Sequence, residues 1–316
     1  MHVNKADQEP RLILVELLKP EAGLGEILVH VHAAGVTPAE LLWYPTTHTK
    51  SGTPRTRAVP GHEFSGVITA VGKDVEDFEV GDEVYGMNDW FADGATAEFC
   101  ITLPQNIARK PTTLNHEAAA SVPISALTAW QGLIDRAKLE RGERVLIHGG
   151  AGAVGLYAVQ LAHNRGARVI TTASRQRIDF VKQLGADEAI DYNASQFETA
   201  VGDVDVVFDT VGGDTLERSW GVLKPGGRMI TIASESSATA DQRVKNAFFI
   251  VEPNQKQLAE IAKQLDAGQL RAFVKTTFPL NQASAAYSGA VRDKGGYGKI
   301  VIAVEAEISE GVRGNH

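Results

Sequence analysis

Two periodicities divide the chain. Up to about residue 115, apolar residues come in short strand-length runs: Ile27 to Val31, Gly66-Val67-Ile68-Thr69-Ala70-Val71, Val84-Tyr85-Gly86 after the turn Gly81-Asp82-Glu83, and Ala97 to Ile101. Short strands separated by Gly, Pro and Asp predict a compact β-rich unit. The pattern then changes. His116 to Ala120 and Ser125 to Leu139 read as helices, and from Arg144 onward apolar strands alternate with amphipathic helices. Strands are expected at Val145-Leu146-Ile147, Arg168 to Thr172, Val204 to Phe208 and Arg228 to Ala233. Helices are expected from about Val154 to Asn164, around Ile178, Val181 and Leu184, after a capping-box-like Asp214 and Glu217, and from Pro253 to Asp266. The last of these carries Leu258, Ile261 and Leu265 on one face and stops at Gly268.

Alternation of strand and helix predicts a parallel sheet covered on both faces. After Gly268 the chain turns β-like again and ends in Lys299-Ile300-Val301-Ile302-Ala303-Val304. The expected organisation is therefore a middle domain, residues 119–268, inserted between two parts of a β-rich domain, 1–118 and 269–316. Glu305 to His316 has no pattern and reads as a frayed tail.

Composition narrows the class. The chain has 316 residues, a natural length for two domains, and 43% of them are apolar. A net charge of −8 with no Lys/Arg run argues against nucleic acid or anionic membrane as a partner. No apolar stretch approaches the roughly 20 residues needed to span a bilayer, and the first ten residues hold no signal core, so a cytoplasmic location is expected. The single cysteine, Cys100, rules out an intrachain disulfide and any multi-cysteine zinc site, and reads as a buried filler.

The strongest local motif is Gly149-Gly150-Ala151-Gly152-Ala153-Val154-Gly155, in which Gly150, Gly152 and Gly155 form G-x-G-x-x-G. Alone the pattern is weak. Here it follows an apolar strand and opens a helix, as a dinucleotide-binding turn requires: glycines for the tight turn, for backbone approach to a pyrophosphate and for helix–strand packing. The helix N-terminus offers free N–H groups to the phosphates. The next strand ends Thr172-Ala173-Ser174-Arg175-Gln176-Arg177. An NAD site carries an acid near this point for the ribose 2′-hydroxyl. A hydroxyl and two guanidiniums instead suit a 2′-phosphate, so NADPH is the expected cofactor.

Read together, these segments resemble the zinc-free quinone oxidoreductase branch of the medium-chain dehydrogenase/reductase superfamily. The likeness runs through Gly25-Glu26-Ile27-Leu28-Val29, Ala33-Ala34-Gly35-Val36, Gly61-His62-Glu63-Phe64-Ser65-Gly66-Val67 and Val80-Gly81-Asp82-Glu83-Val84-Tyr85-Gly86. It continues in Leu127-Thr128-Ala129-Trp130, the glycine turn, Leu184-Gly185-Ala186-Asp187, Phe208-Asp209-Thr210-Val211-Gly212-Gly213, Leu223-Lys224-Pro225-Gly226-Gly227 and Gly298-Lys299-Ile300-Val301. The resemblance implies an α/β chain: a Rossmann doubly wound parallel sheet plus a GroES-like β-rich catalytic domain, with the cofactor in the cleft and a homodimer. It adds Thr128, Tyr192, Val211 and Lys299 to Gly150, Ala151, Gly152, Ala153, Val154, Gly155, Ser174, Arg175 and Arg177 as cofactor-binding candidates. The family's opening strand, ahead of Arg11-Leu12-Ile13-Leu14, is expected to be abbreviated or absent.

Gly61-His62-Glu63 also resembles the ligand segment of zinc alcohol dehydrogenases. Where those relatives supply a cysteine this chain has Thr37, and their third ligand falls near Pro123-Ile124. A catalytic zinc takes about three protein ligands, so no metal is expected. Where quinone reductases carry Asn, Asp and Tyr, this chain has Thr37, Glu40 and Leu42. Without a Lewis acid the site suits an acceptor that is already electrophilic, a quinone or an enone, with Thr37 and His62 as candidate donors to the developing oxyanion. Tyr44, Tyr85, Trp90 and Phe91 are candidates for an aromatic lining. Two other readings stay open: a zinc-type alcohol dehydrogenase, and a non-catalytic NADPH-binding redox sensor.

Overall fold

The computed structural model of the chain describes residues 2–4, 11–288 and 296–304. The chain divides into two compact units, Met1–Pro123 with Phe273–His316, and Ile124–Ala272. The helix His116–Ala120 packs on the strands of the first unit, which carries the crossover past residue 118 to Pro123. The expected frayed tail, Glu305 to His316, lies outside the described residues.

The first unit begins with β1 (His2–Asn4) and β2 (Arg11–Ile13), which pair antiparallel. An opening strand is thus present, though only three residues long. There follow β3 (Ile27–Gly35), β4 (Glu63–Val71), β5 (Glu83–Met87), β6 (Phe99–Thr102) and β7 (Ile107–Arg109). Alternation sends Ile27, Val29 and Val31 of β3 inward, where they meet Phe64, Ile68, Val84 and Ile107. Each such side chain contributes about 1.5–3 kcal/mol on burial. Cys100 of β6 is 3% exposed among these residues, and burial pushes its thiol far above the usual range, so it is filler.

The second unit holds β8 (Arg144–Ile147), β9 (Arg168–Ala173), β10 (Glu188–Asp191), β11 (Val204–Asp209) and β12 (Leu223–Thr231), in the order β10-β9-β8-β11-β12, all parallel. Strands buried on both faces read as continuous apolar runs, as Val145-Leu146-Ile147 does. The order reverses between β8 and β11, and in such sheets the ligand crevice lies at the carboxyl ends of the strands flanking that point. The glycine turn leaves β8 there. Helices Gly155–Asn164, Ile178–Gln183, Gly213–Ser219 and Gln255–Asp266 cover the sheet. Asn254 caps the last through its side chain, and Gly268, at φ +69°, ends it.

Three local expectations are corrected. The stretch read as one helix, Ser125 to Leu139, is an α-helix over Pro123–Trp130 that widens to π-type turns over Gln131–Arg136. Asp214 and Glu217 do not form a capping box. The helix Gly213–Ser219 starts from Gly212 at φ +81°, because the buried Asp209 carboxylate accepts the Val211 and Gly212 N–H groups. In the β4 region the strand starts at Glu63 rather than Gly66.

The chain then returns to the first unit through β13 (Val274–Pro279) and β14 (Lys299–Ala303). β14 pairs antiparallel with β3, completing a seven-stranded mixed sheet in which β6 also pairs β3.

Candidate functional site

In the second unit, the glycine turn is held by β9. Thr172 accepts the Gly149 N–H on its hydroxyl (3.1 Å) and the Gly150 N–H on its carbonyl (3.0 Å). Gly149, at φ +73°, is the residue that makes the tight turn, a role the motif assigns to Gly150. Gly150 is required for another reason: a Cβ there would lie 2.1 Å from the Thr171 hydroxyl. At Gly155 a Cβ would lie 2.1 Å from the Gly149 carbonyl, so helix and turn touch backbone to backbone. Gly152 is the least constrained of the three, its Cβ meeting only the Gly149 carbonyl at 3.1 Å. Ala151 and Ala153 bring no bulk to the turn. Val154 occupies the N-cap of Gly155–Asn164 with no side-chain cap, so no side chain blocks the start of the helix, although the Leu156 and Tyr157 N–H groups are taken by the Gly152 and Val154 carbonyls. The residues fit a dinucleotide pyrophosphate.

Beyond β9, Ser174 starts a single 3₁₀ turn, Arg175–Arg177. Arg175 is exposed and Ser174 and Arg177 are half-buried. No acid stands in this turn. Tyr192 is 59% exposed and is tied to the end of β9 by its N–H on the Ala173 carbonyl (3.3 Å). A pocket of about 740 Å³ opens beside the glycine turn, lined among others by His148, Gly149, Tyr192, Phe197, Val211 and Arg218. That size suits a nucleoside-sized group. Thr128 is buried and donates its hydroxyl to the Ile124 carbonyl (2.6 Å), a bond inside its own helix.

In the first unit, Thr37 follows β3. Its hydroxyl is buried and, among the described residues, has no hydrogen-bond partner. His62 is 2% exposed. Its Nε2 faces the Ala92 carbonyl at 3.3 Å, which only accepts, so Nε2 carries a hydrogen. Its Nδ1 lies 3.2 Å from Glu40 Oε2, and that pair holds a proton between them. The other Glu40 oxygen accepts the Gly61 N–H (2.5 Å) and the Tyr287 hydroxyl (3.0 Å), while Tyr287 also meets Thr96 (3.0 Å). Burial and the Glu40 charge hold the Tyr287 phenol well above its usual pKa, so it stays protonated. Glu40, Thr96 and Tyr287 were not singled out as a site from the sequence. Glu40 and Tyr287 are 247 residues apart, and no local signal joins them.

Glu63 is buried in an ion pair with Lys299 of β14. The Lys299 ammonium is thus bound within the first unit. Trp90 packs on His62 (ring centroids 5.1 Å apart) and on Trp43 (5.0 Å), and Tyr44 meets Phe91 (6.4 Å). Tyr85, in contrast, is fully buried in β5. Among the described residues no group of three His, Cys, Asp or Glu side chains converges as a metal site.

Comparison with known proteins agrees with this architecture. A family model described as an alcohol dehydrogenase GroES-like domain matches residues 23–112, and one described as a zinc-binding dehydrogenase matches residues 184–302. A protein of Arthroderma benhamiae named probable zinc-binding oxidoreductase, mitochondrial, is 33% identical over 305 residues, covering 90% of this chain and 90% of that one. The NADPH-dependent alkenal/one oxidoreductase, chloroplastic, of Arabidopsis thaliana is 30% identical, over 86% of this chain and 70% of its own length. The solved structure of the quinone oxidoreductase from Coxiella burnetii superposes with a TM-score of 0.83 at 31% identity, covering 93% of this chain and 95% of that one. The fold and the glycine cradle define a two-unit oxidoreductase that uses a nicotinamide cofactor. The chain belongs to the medium-chain dehydrogenase/reductase superfamily, in its quinone oxidoreductase-like branch.

Proposed function

We propose that this chain is a zinc-independent, NADPH-dependent oxidoreductase acting on quinones or α,β-unsaturated carbonyls. The observation that carries the cofactor choice is the acid-free turn Ser174–Arg177 beyond the glycine cradle. The cradle residues Gly150 to Gly155 would hold the pyrophosphate, Ser174, Arg175 and Arg177 the 2′-phosphate, and Tyr192 and Val211 the adenosine end. When bound, NADPH supplies the hydride. Thr128 and Lys299 are retained as cofactor contacts by family resemblance alone.

The acceptor choice follows from the donors. Among the described residues the Thr37 hydroxyl has no partner to give up, which suits it to donate to an oxygen gaining negative charge. His62, hydrogen-bonded to Glu40, lies in the same unit. A conjugated acceptor needs no more than such hydrogen bonds, whereas an alcohol substrate needs its hydroxyl proton removed, a task for a metal.

One observation favours the alternative of a zinc-type alcohol dehydrogenase. A carboxylate behind an imidazole Nδ1 is also how a metal-ligating histidine is oriented, and Glu40 stands so behind His62. Against it, Nε2 is engaged by a carbonyl, and the companion positions Thr37 and Ile124 offer a weak donor and none.

Two measurements test the proposal together. Elemental analysis of protein purified without chelator is expected to find no stoichiometric zinc. NADPH oxidation is expected to depend on added quinone or enone, with little turnover of simple alcohols. One tight zinc per chain with activity lost on chelation, or alcohol oxidation with no conjugated acceptor accepted, would overturn it. NADPH binding with no turnover of any acceptor would favour the redox-sensor reading.

A further inference from the structure

His148 follows β8 directly and is fully buried, yet its imidazole belongs to no part of the cofactor fingerprint. Its partners define a directed hydrogen-bond chain. Ser219 Oγ donates to the Thr215 carbonyl (2.6 Å), so it accepts from His148 Nε2 (2.9 Å). A hydrogen on Nε2 leaves Nδ1 as the acceptor in the neutral ring. Nδ1 lies 3.2 Å from Thr172 Oγ1, whose hydroxyl proton therefore points at the imidazole. With its proton committed, Thr172 Oγ1 turns a lone pair to the Gly149 N–H at 3.1 Å. The chain runs from the helix Gly213–Ser219 through the ring to the glycine that makes the tight turn.

The main chain around His148 is fixed as well. Its N–H donates to the Phe208 carbonyl (3.0 Å) of β11, and its carbonyl accepts the Thr210 hydroxyl (2.8 Å). The ring stands edge-on to Phe197 (centroids 4.6 Å apart) at the wall of the pocket beside the turn. Burial, reinforced by Arg218, lowers its pKa to about 4, which keeps the ring neutral at physiological pH.

We propose that His148 is a positioning residue for nucleotide binding, acting through Thr172 to hold the Gly149 turn in the shape that receives the pyrophosphate. The proposal rests on the nicotinamide-nucleotide reading of the glycine cradle. An imidazole Nδ1 is needed because it accepts from Thr172 without offering a competing donor to Gly149. The Ser219 hydroxyl selects that tautomer.

The test is a cycle of His148→Phe, Thr172→Val and the double variant, with NADPH affinity read by nicotinamide fluorescence and fold by thermal melting. Phe keeps the ring and its contact with Phe197, and Val keeps the shape of Thr172. Each single variant is expected to raise the Kd for NADPH about tenfold, and the double variant no more than either single one, since both break the same link. In turnover, KM for NADPH should rise more than kcat falls. Additive losses, or a lower melting temperature with Kd within twofold of wild type, would overturn the proposal. If wild-type protein binds neither NADPH nor NADH, the cofactor reading fails instead. Should His148→Phe not fold, imidazole ¹⁵N spectra of the wild-type protein decide. The expected His148 signature is protonated Nε2 and unprotonated Nδ1, and the reverse tautomer sinks the idea.

Discussion

Thr37 and Arg177 are single side chains whose effects separate cleanly from stability. A buried hydroxyl without a partner costs the fold about 1–3 kcal/mol. Thr37→Val removes that hydroxyl and keeps the shape, so the melting temperature should hold or rise. If the hydroxyl serves the acceptor oxygen, kcat should fall by up to about 100-fold while NADPH affinity is unchanged. A loss of stability together with an unchanged kcat would mark Thr37 as ordinary packing. Arg177 sits half-buried at the end of the 3₁₀ turn beyond β9. A charge-assisted bond is worth roughly 1.5–3 kcal/mol, so Arg177→Ala should weaken NADPH by about tenfold or more and leave NADH nearly as before. Titrating both nucleotides against the variant checks this, and equal losses would show that the guanidinium does not read the phosphate.

Elements were legible in the sequence where one local pattern decided them. The strand β8, the glycine turn and the helix after it follow from an apolar run, a glycine cluster and helical spacing within a few turns of chain. The helix Gln255–Asp266 was equally plain from its apolar stripe and Gly268, although it starts at Gln255 rather than Pro253, where Asn254 caps it. What stayed hidden was decided by distant residues. Asp209 overrides the apparent capping box by taking the Val211 and Gly212 amides itself. The partners of His62 arrive from Glu40, Ala92 and, through Glu40, Tyr287. The motif named the right glycines but not their separate jobs, which only the contacts at Thr171 and at the Gly149 carbonyl reveal. Those contacts make a prediction at this scale. In Gly155→Ala the new methyl meets backbone that cannot yield, so the variant should lose about 1–3 kcal/mol of stability. It should weaken NADPH and NADH alike, unlike Arg177→Ala. Calorimetric titration of both nucleotides would detect a selective loss, which would contradict a shared pyrophosphate role.

Across the molecule, one buried imidazole, His148, and one half-buried one, His116, tie stability to pH. His148 is held down to about 4 by burial and then by Arg218, opposed by Glu198. His116 is held near 4 by burial, by His32 and by Lys110, against Glu83. Both are neutral in the folded chain at pH values where the unfolded chain, with histidine near 6.5, has begun to take up protons. Their contribution is complete above about pH 6.5 and drains away as pH falls toward 4. For His148 this is worth up to about 3 kcal/mol over that interval. Urea unfolding between pH 7 and 4 should show this decline, with a shallower slope in His148→Phe than in wild type. Parallel slopes would mean that His148 does not titrate with folding.

The pairing of β14 with β3 sets an order of assembly. Val301 lies opposite Gly35 in that ladder, so the sheet of the first unit cannot close until β14 has left the ribosome. The second unit is one uninterrupted stretch, Ile124–Ala272, and has every strand it needs long before then. During synthesis the nucleotide-binding unit is therefore complete while β3 still exposes an unpaired edge, the kind of surface that recruits other chains. Through that interval the newborn protein depends on how quickly β14 arrives.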